Sequence, residues 1–310
     1  MILLALAAAI PGIFWDAPPD TAPALKEAGI RRILVPAGQA AGWKQVEGIA
    51  AEVADPAKAV KLRTPAVNYR FEQASASRVP WIDCNGWRFL RQPDSRYFYD
   101  ATGALAAMAA AEALAWGADA MIKTDPAGLK PLAEMLTFGE GLERAGMQPL
   151  ADFGFIDDGS SIAGEVMNLL VRHSLLFRVV RRPDPNLKLT VQLGSKNYPL
   201  EQAKNPGAMA QMVRADLTDG RRSLRIYGSA VVVGRLETAA GRLRVHLINY
   251  DGAARKVSGL RVRVSGEFPK HRLALAGLPD AELMDYEVLT GATEFTLPEL
   301  RTYAVVDLQK

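Results

Sequence analysis

Short apolar runs alternate with amphipathic helical stretches over the first two-thirds of the chain. The apolar runs predict eight strands, which lie at Gly12–Asp16, Arg32–Pro36, Ala59–Leu62, within Val79–Phe89, and at Ala118–Thr124, Leu150–Ile156, Leu176–Val180 and Leu187–Leu193. The helical periods predict helices at Thr21–Gly29, Gln45–Val53, Ala104–Trp116, Pro126–Arg144, Ile162–His173 and Pro206–Leu217. Strands that alternate with helices in this way indicate a parallel α/β fold, and eight units fit a TIM-type barrel over residues 12–218.

Two of the eight units are poorly formed. Arg63–Arg78 has weak helical character, and Arg181–Asn186 is too short for a crossover helix. We therefore expect a degenerate barrel. A second interpretation divides the chain near residue 150 and makes residues 150–218 a small flavodoxin-like lobe, and the pattern alone leaves both open.

After Gly220 the period changes from helical to two, with one apolar and one polar face. The predicted strands are Ser223–Tyr227, Ala230–Leu236, Leu243–Tyr250, Leu260–Ser265, Arg272–Leu275, Leu283–Leu289, Thr293–Leu297 and Thr302–Leu308. Asp251-Gly252, Ser258-Gly259 and Gly291 supply turn signals between them. Short strands without intervening helices predict an all-β sandwich domain over residues 219–310.

Composition narrows the function classes. The 310 residues are 49% hydrophobic and 23% charged, and 37 basic against 34 acidic residues leave a net charge of +3. This balance offers no broad basic field, so we expect no nucleic-acid partner. A single cysteine excludes an internal disulfide, and with only three histidines it disfavours a Cys/His zinc site. We expect neither a metal nor an organic cofactor.

The N-terminus carries an apolar run, Ile2–Ile10, so residues 1–11 are interpreted as a leader or signal-like segment. The run is too short to cross a bilayer, and no integral membrane segment is predicted elsewhere. A secretory signal of bacterial type would favour a periplasmic or secreted protein over a cytoplasmic one. A loosely docked leader is the alternative.

Carboxylates follow several predicted strands, where the reactive groups of a parallel barrel lie. Asp16 ends the first run, Asp83 lies on the fourth, Asp125 ends the fifth, and Asp157 with Asp158 ends the sixth. Hydrolysis of a glycosidic bond needs two carboxyl groups beside that bond. Lys123 would keep Asp125 ionised, as a nucleophile requires, and repulsion between Asp157 and Asp158 would raise the pKa of one toward that of a general acid. Alternatively, these aspartates cap the helices that follow them.

An aromatic and arginine-rich stretch runs from Pro80 to Asp100. Aromatic rings stack on sugar faces, and Asp, Asn and Arg bind hydroxyl groups. The candidate substrate-binding residues are Trp15, Asp16, Asn85, Trp87, Arg88, Arg91, Tyr99 and Lys123. The arginines would also suit the carboxylate of an acidic sugar. The alternative is a packed loop with Arg/Asp pairs.

The barrel-then-sandwich order, together with Lys123-Thr-Asp125 after Trp116-Gly-Ala-Asp119, resembles retaining glycoside hydrolases of the α-galactosidase and α-glucosidase type. This resemblance implies Asp125 as nucleophile and Asp157 or Asp158 as acid/base, with Asp83 as the reserve carboxylate. One strand separates the two aspartates in that family, whereas here they end neighbouring predicted strands. The sequence thus predicts a glycoside hydrolase-like protein that acts on a carbohydrate through paired aspartates. The alternative is a non-catalytic carbohydrate-binding or structural protein on a decayed barrel.

Overall fold

A computed structural model describes residues 10–69, 80–143 and 146–310. The leader-like segment, apart from Ile10 and Pro11, therefore lies outside the described residues. The chain divides into two compact units. The first contains the described residues of Met1–Val67 and Pro93–Ala145, and the second contains those of Asn68–Gln92 and Gly146–Lys310.

The described strands, numbered in chain order, are β1 (Gly12–Phe14), β2 (Arg32–Val35), β3 (Ala50–Val53), β4 (Val60–Lys61), β5 (Ala66–Asn68), β6 (Trp81–Asp83), β7 (Tyr97–Asp100), β8 (Ala120–Lys123), β9 (Gln148–Pro149), β10 (Phe153–Ile156), β11 (Phe177–Val180), β12 (Thr190–Gln192), β13 (Leu224–Tyr227), β14 (Val232–Ala239), β15 (Arg242–Asn249), β16 (Val257–Ser265), β17 (Lys270–Leu275), β18 (Met284–Leu289), β19 (Ala292–Leu300) and β20 (Tyr303–Gln309). The α-helices are α1 (Ala22–Glu27), α2 (Ala40–Trp43), α3 (Gly86–Arg91), α4 (Leu105–Trp116), α5 (Pro126–Glu140), α6 (Ser161–Arg172), α7 (Leu200–Ala203) and α8 (Pro206–Leu217).

The first unit is built on a six-stranded sheet in the order β3-β2-β1-β8-β7-β4, and every pairing in it is parallel. Strands β1, β2, β4 and β8 confirm the predicted apolar runs. One face of the sheet carries the apolar side chains of Phe14, Phe98 and Met121, which pack together. Alternation along each strand sends the intervening side chains to the opposite face.

Two strands of this sheet were not predicted. The chain was expected to be helical from Gln45 to Val53, but Gly48 has a left-handed φ of 77° and Ala50–Val53 pairs with β2. Pairing with a neighbouring strand thus overrides the helix propensity of Ala and Glu. Tyr97–Asp100 was assigned to an irregular loop, yet it forms β7 between β4 and β8. Its run of three aromatic residues was an available strand signal.

Helix α4 is buried on nearly all sides, which explains its alanine-rich sequence. Small side chains let it approach α5 closely, and Gly139 of α5 faces Leu114 of α4. Gly117 ends the helix in the left-handed conformation with φ 65°, as its sequence position predicted. The buried carboxylate of Glu112 accepts a 2.7 Å hydrogen bond from the hydroxyl of Tyr99.

The second unit contains a separate parallel sheet in the order β11-β10-β12. Helix α6 connects β10 to β11 and packs against α3 and α8. The sixth, seventh and eighth predicted runs are confirmed as these strands. Asp152, at the start of β10, is buried and accepts hydrogen bonds from Lys188 Nζ (2.5 Å) and from the backbone of Ser223 (3.0 Å).

All eight strands predicted after Gly220 are present, as β13 to β20. They form two antiparallel sheets, in the orders β13-β16-β19-β18 and β17-β20-β15-β14-β9. Inward-facing residues of both sheets, such as Val262, Phe295, Val245 and Val306, belong to one hydrophobic core. Burial of this core is the main stabilising term for this part of the chain.

The predicted mixed α/β class is confirmed, with several separate sheets. The six-stranded sheet is open, because β3 and β4 are its edge strands in the part of the chain that the structure describes. The eight expected barrel strands therefore do not close into a single sheet there. None of the described helices is long and apolar enough to cross a bilayer.

Candidate functional site

The predicted site residues fall into two groups, one in each compact unit. Trp15, Asp16, Tyr99, Lys123 and Asp125 belong to the first unit. The second unit holds the remaining candidates, which are Asp83, Asn85, Trp87, Arg88, Arg91, Asp157 and Asp158. Each group is described within its own unit.

Asp16 and Lys123 form an ion pair at the carboxyl edge of the six-stranded sheet. Phe14 of β1 stands in register with Lys123 of β8, so Asp16, two residues beyond Phe14, reaches Nζ of Lys123 at 2.6 Å. The hydrogen bond that Lys123 donates to Asp16 raises the pKa of Lys123, and the charge of Asp100 acts in the same direction. Lys123 is therefore charged at neutral pH.

Asp125 caps helix α5. Its extended backbone lets Oδ1 accept hydrogen bonds from the backbone N–H groups of Gly103 (2.8 Å) and Gly128 (3.0 Å). The Gly103 N–H, followed by that of Gly128, lowers the pKa of Asp125 against the opposing effect of burial. The expected role of Lys123 in keeping Asp125 ionised is wrong, because Lys123 pairs with Asp16 and backbone donors hold the Asp125 carboxylate instead.

Trp15 and Tyr99 are both buried within the first unit. The indole Nε1 of Trp15 donates to Oγ1 of Thr21 at 2.9 Å. The Tyr99 hydroxyl is bonded to Glu112 of α4, on the helix-covered face of the sheet. These contacts are structural, since neither ring is open to solvent.

In the second unit, helix α3 groups the aromatic and arginine residues. Trp87 lies under the guanidinium of Arg88, 4.3 Å from the ring centroid, with that of Arg91 at 5.2 Å. Asn85 is buried at the start of α3, and its Oδ1 accepts from Nη1 of Arg88 at 3.2 Å. Trp87 also packs against Gly164 of α6, where a β-carbon would lie 3.1 Å from the ring.

Arg91 and Asp157 form a mostly buried ion pair in the second unit. Nη2 of Arg91 donates to Oδ1 of Asp157 at 2.7 Å and to the carbonyl oxygen of Ser160 at 3.0 Å. The same Asp157 oxygen accepts from the N–H of Gly159 at 3.1 Å. The structure thus brings together two predicted site residues from distant parts of the sequence. They form an Arg/Asp ion pair, as the alternative interpretation of Pro80–Asp100 expected for its arginines.

Asp158 is exposed, and its Oδ1 accepts from the backbone N–H of Ser160 at 2.9 Å. The side chain and backbone of Ser160 lower the pKa of Asp158. Asp158 is therefore not the member of the pair whose pKa is raised, because local hydrogen bonds to its ionised form outweigh the effect of burial. Ser160 also caps α6, since its Oγ accepts from the N–H of Ala163 at 3.1 Å.

Asp83, at the end of β6, has two neutral hydrogen-bond donors. Nδ2 of Asn68 lies 2.7 Å from Oδ2, and Nε1 of Trp81 lies 3.1 Å from Oδ1. The guanidinium of Arg172 stacks 3.9 Å above the Trp81 ring. Sequence reasoning did not select Trp81 or Arg172, although Trp81 stands two residues before Asp83 and was a visible aromatic signal.

Among the described residues, no group of three or more His, Cys, Asp or Glu side chains is arranged to hold a metal ion. The lone cysteine, Cys84, is buried, and its Sγ lies 3.4 Å from Oδ1 of Asn168.

No protein-family model matches this chain, and no curated protein is similar to it in sequence. Its structure is similar to that of an α-L-fucosidase isoenzyme 2 from Paenibacillus thiaminolyticus. The TM-score is 0.55 at 10% identity, over 87% of this chain and 70% of the fucosidase.

Two further similar structures have TM-scores below 0.5, which is too low to establish a shared fold. One is an exo-carrageenase GH42 from Bacteroides ovatus, with 0.40 at 11% identity over 84% of this chain and 48% of that one. The other is a β-galactosidase from Rahnella sp. R3, with 0.39 at 9% identity over 96% and 60%. At such identities the fucosidase comparison concerns the fold alone, and it supports a glycoside hydrolase-like fold.

Proposed function

We propose that this protein acts on carbohydrate, with a degenerate glycoside hydrolase-type barrel over residues 12–218 followed by a β-sandwich over residues 219–310. The likeness to the fucosidase fold supports this proposal. The strand order of the first unit supports it as well. The chain passes from β1 to β2 to β3 in one direction, and from β4 through β7 to β8 in that same direction. This is the circular order of a barrel of six strands opened between β3 and β4, and the separate sheet of β10, β11 and β12 is where the barrel is degenerate.

Binding of sugar without hydrolysis is the activity that the geometry supports best. The observation that carries it is the engagement of the strand-end aspartates. Asp125 caps a helix, Asp157 is paired with Arg91, and Asp158 is held by Ser160. The pKa of Asp158 is lowered, whereas a general acid needs a raised one. Trp87 and Arg88 of α3 are the proposed sugar contacts.

Hydrolysis is the second candidate, and Asp83 favours it. This carboxylate is partly exposed, and among the described residues its hydrogen-bond donors are the neutral groups of Asn68 and Trp81. The Trp81 ring, whose Nε1 donates to Asp83, lies beside this carboxylate and would form an aromatic wall for a bound sugar. In this second proposal Asp83 acts as one of the two carboxyl groups that glycoside hydrolysis requires.

The two candidates are separated by measuring binding and turnover on the same preparations. The whole chain is assayed by affinity electrophoresis in a panel of neutral and acidic polysaccharides, and for release of nitrophenol from α- and β-glycosides. Binding without turnover, weakened in Trp87→Ala and unchanged in Asp83→Asn, supports the first candidate. Turnover that falls at least a hundredfold in Asp83→Asn supports the second. Neither binding nor turnover with any sugar would overturn the proposed function.

A further inference from the structure

A basic cavity of about 250 Å³ lies within the second unit. Its walls come from the C-terminal end of α6, the end of α8 with the turn after it, and strands β13 and β14. This volume is many times the roughly 10–15 Å³ that one water molecule needs. The cavity includes none of the carboxylates considered above for sugar chemistry.

Positive charge dominates the lining of this cavity. Four arginines line it, Arg172, Arg214, Arg222 and Arg225, against one carboxylate, Asp219. Oδ1 of Asp219 lies 3.1 Å from Nη1 of Arg222 and 3.5 Å from Nη2 of Arg214. The hydrogen bond from Arg222 lowers the pKa of Asp219, so it is ionised and offsets one of the four positive charges. Among the described residues, the lining therefore carries more positive than negative charge.

Two of these arginines present N–H groups without a protein acceptor. Nε of Arg222 and Nε of Arg225 are buried and have no hydrogen-bond partner among the described residues. Arg222 is only 8% exposed. A buried donor without an acceptor destabilises the fold by about 1–3 kcal/mol, and more when it is charged. The two terminal nitrogens of Arg222 do have acceptors. Nη1 lies 3.1 Å from Oδ1 of Asp219, and Nη2 lies 3.5 Å from the carbonyl oxygen of His173 at the end of α6.

Neighbouring contacts hold the guanidinium groups in place. Arg172 stacks on Trp81 and its Nη2 donates to the carbonyl oxygen of Pro80 at 3.3 Å. Arg225 lies on β13, whose backbone pairs with β16. Guanidinium groups that are already ordered lose little conformational entropy when an anion binds.

We propose that this cavity is a binding site for the tetrahedral oxyanion group, phosphate or sulfate, of a small molecule. Planar guanidinium forks match the paired oxygens of such a group. The excess of arginines over carboxylates in the described lining favours the phosphate dianion over a singly charged ester or a carboxylate. Ile226 and Val232 provide an apolar wall for the body of the ligand. The site is independent of the proposed sugar chemistry.

The first test is calorimetric titration of the whole chain with sodium phosphate and with sodium sulfate, at constant ionic strength set by chloride. Saturable binding is expected, tighter for phosphate above pH 7 than below pH 6, where phosphate carries a single charge. Sulfate keeps two charges over this pH range, so its affinity should change much less with pH than that of phosphate. Absence of saturable binding of either ion would overturn the proposal.

The arginine variants locate the site. Arg225→Gln and Arg214→Gln should each raise the Kd for phosphate about tenfold, the effect of losing one hydrogen bond to a charged group. Arg301→Gln is the matched control, because it removes the same charge from a half-exposed arginine that is paired with Glu299. Arg222 is not the primary target, since its burial makes misfolding a competing explanation. Equal Kd values in Arg225→Gln and Arg301→Gln would overturn the assignment.

His173 gives a second readout that does not depend on these variants. It lines the cavity, and partial burial, followed by the charges of Arg172, Arg214 and Arg222, lowers its pKa. A bound anion neutralises those charges, so saturating phosphate should raise the pKa of His173 measured by NMR. His271, which lies outside the cavity, should not respond. The resonance is assigned by its loss in His173→Gln, and an unchanged His173 pKa under saturating phosphate would place the anion elsewhere.

Discussion

Glu237 on β14 is the carboxylate whose ionisation should matter most for the stability of the two antiparallel sheets. Its side chain is 17% exposed, with Oε1 3.0 Å from Nη1 of Arg235 and Oε2 3.2 Å from Nε2 of His246. Burial alone would raise the pKa of Glu237. The hydrogen bond from His246, with the charges of His246, Arg235 and Arg244, outweighs burial and lowers the pKa to about 2.

The neighbouring histidine is neutral at pH 7 and gains its charge only in more acidic solution, where it adds to the attraction that keeps Glu237 ionised. Burial lowers the pKa of His246 despite the attraction of Glu237. Nδ1 of His246 lies 2.7 Å from the hydroxyl of Tyr303, so a neutral ring can accept from Tyr303 and direct its Nε2–H toward Glu237. Arg235 then supplies the main positive charge that keeps Glu237 ionised.

The size of the effect follows from linkage. The ordinary pKa of this carboxyl is 4.5, and its folded value is about 2. At about 1.36 kcal/mol per pKa unit, this difference stabilises the folded state by about 3 kcal/mol. Because the folded pKa is the lower one, the stabilisation is fully present above pH 4.5 and is lost as the pH falls toward 2. About half of it remains at pH 3.

Glu237→Gln isolates this contribution, because glutamine resembles the protonated side chain. The free energy of unfolding is measured by urea titration with far-UV circular dichroism, since all five tryptophans precede residue 117 and do not report on these sheets. We expect the variant to be about 3 kcal/mol less stable than the parent at pH 7, with the difference roughly halved at pH 3. Glu287→Gln, at an exposed position on β18, is the control and should differ by less than about 0.5 kcal/mol. A Glu237→Gln difference that is the same at both pH values would refute the reasoning.

Three further changes test the packing and capping described above, each by urea unfolding at pH 7. Asp125→Ala should destabilise the first unit by about 0.5–2 kcal/mol through loss of the α5 cap, and a stability equal to the parent would contradict the capping role. Gly139→Ala should cost about 1–3 kcal/mol, because the new β-carbon would lie 2.6 Å from Leu114, whereas Gly141→Ala has no contact closer than 3.5 Å and should be near neutral. Asp152→Ala should cost about 3–5 kcal/mol, because it removes the buried acceptor of a lysine and of a backbone N–H; a change below 1 kcal/mol would show that water replaces it.

The local sequence pattern was sufficient to predict the strands after Gly220. The alternation of Arg242–Asn249 and the glycines between the strands are local signals, because one face of each strand is buried and each turn needs a particular backbone conformation. The alternation of apolar and polar residues therefore indicated all eight strands without any knowledge of how they pair. Helices α4 and α5 of the first unit were equally visible, since Gly117 marks the end of one and Pro126 the start of the other.

Partner choice was decided by the tertiary structure. Lys123 stands two residues from Asp125 in sequence, yet the parallel register of β1 and β8 places its Nζ within hydrogen-bonding distance of Asp16. Arg91 meets Asp157 only because α3 packs beside α6. The strand at Ala50–Val53 exists because β2 offers it an edge, although its own residues favour a helix. Apart from that strand, most of the secondary structure follows from neighbours along the chain, but the charge state and availability of a carboxylate depend on groups that only folding brings within hydrogen-bonding distance.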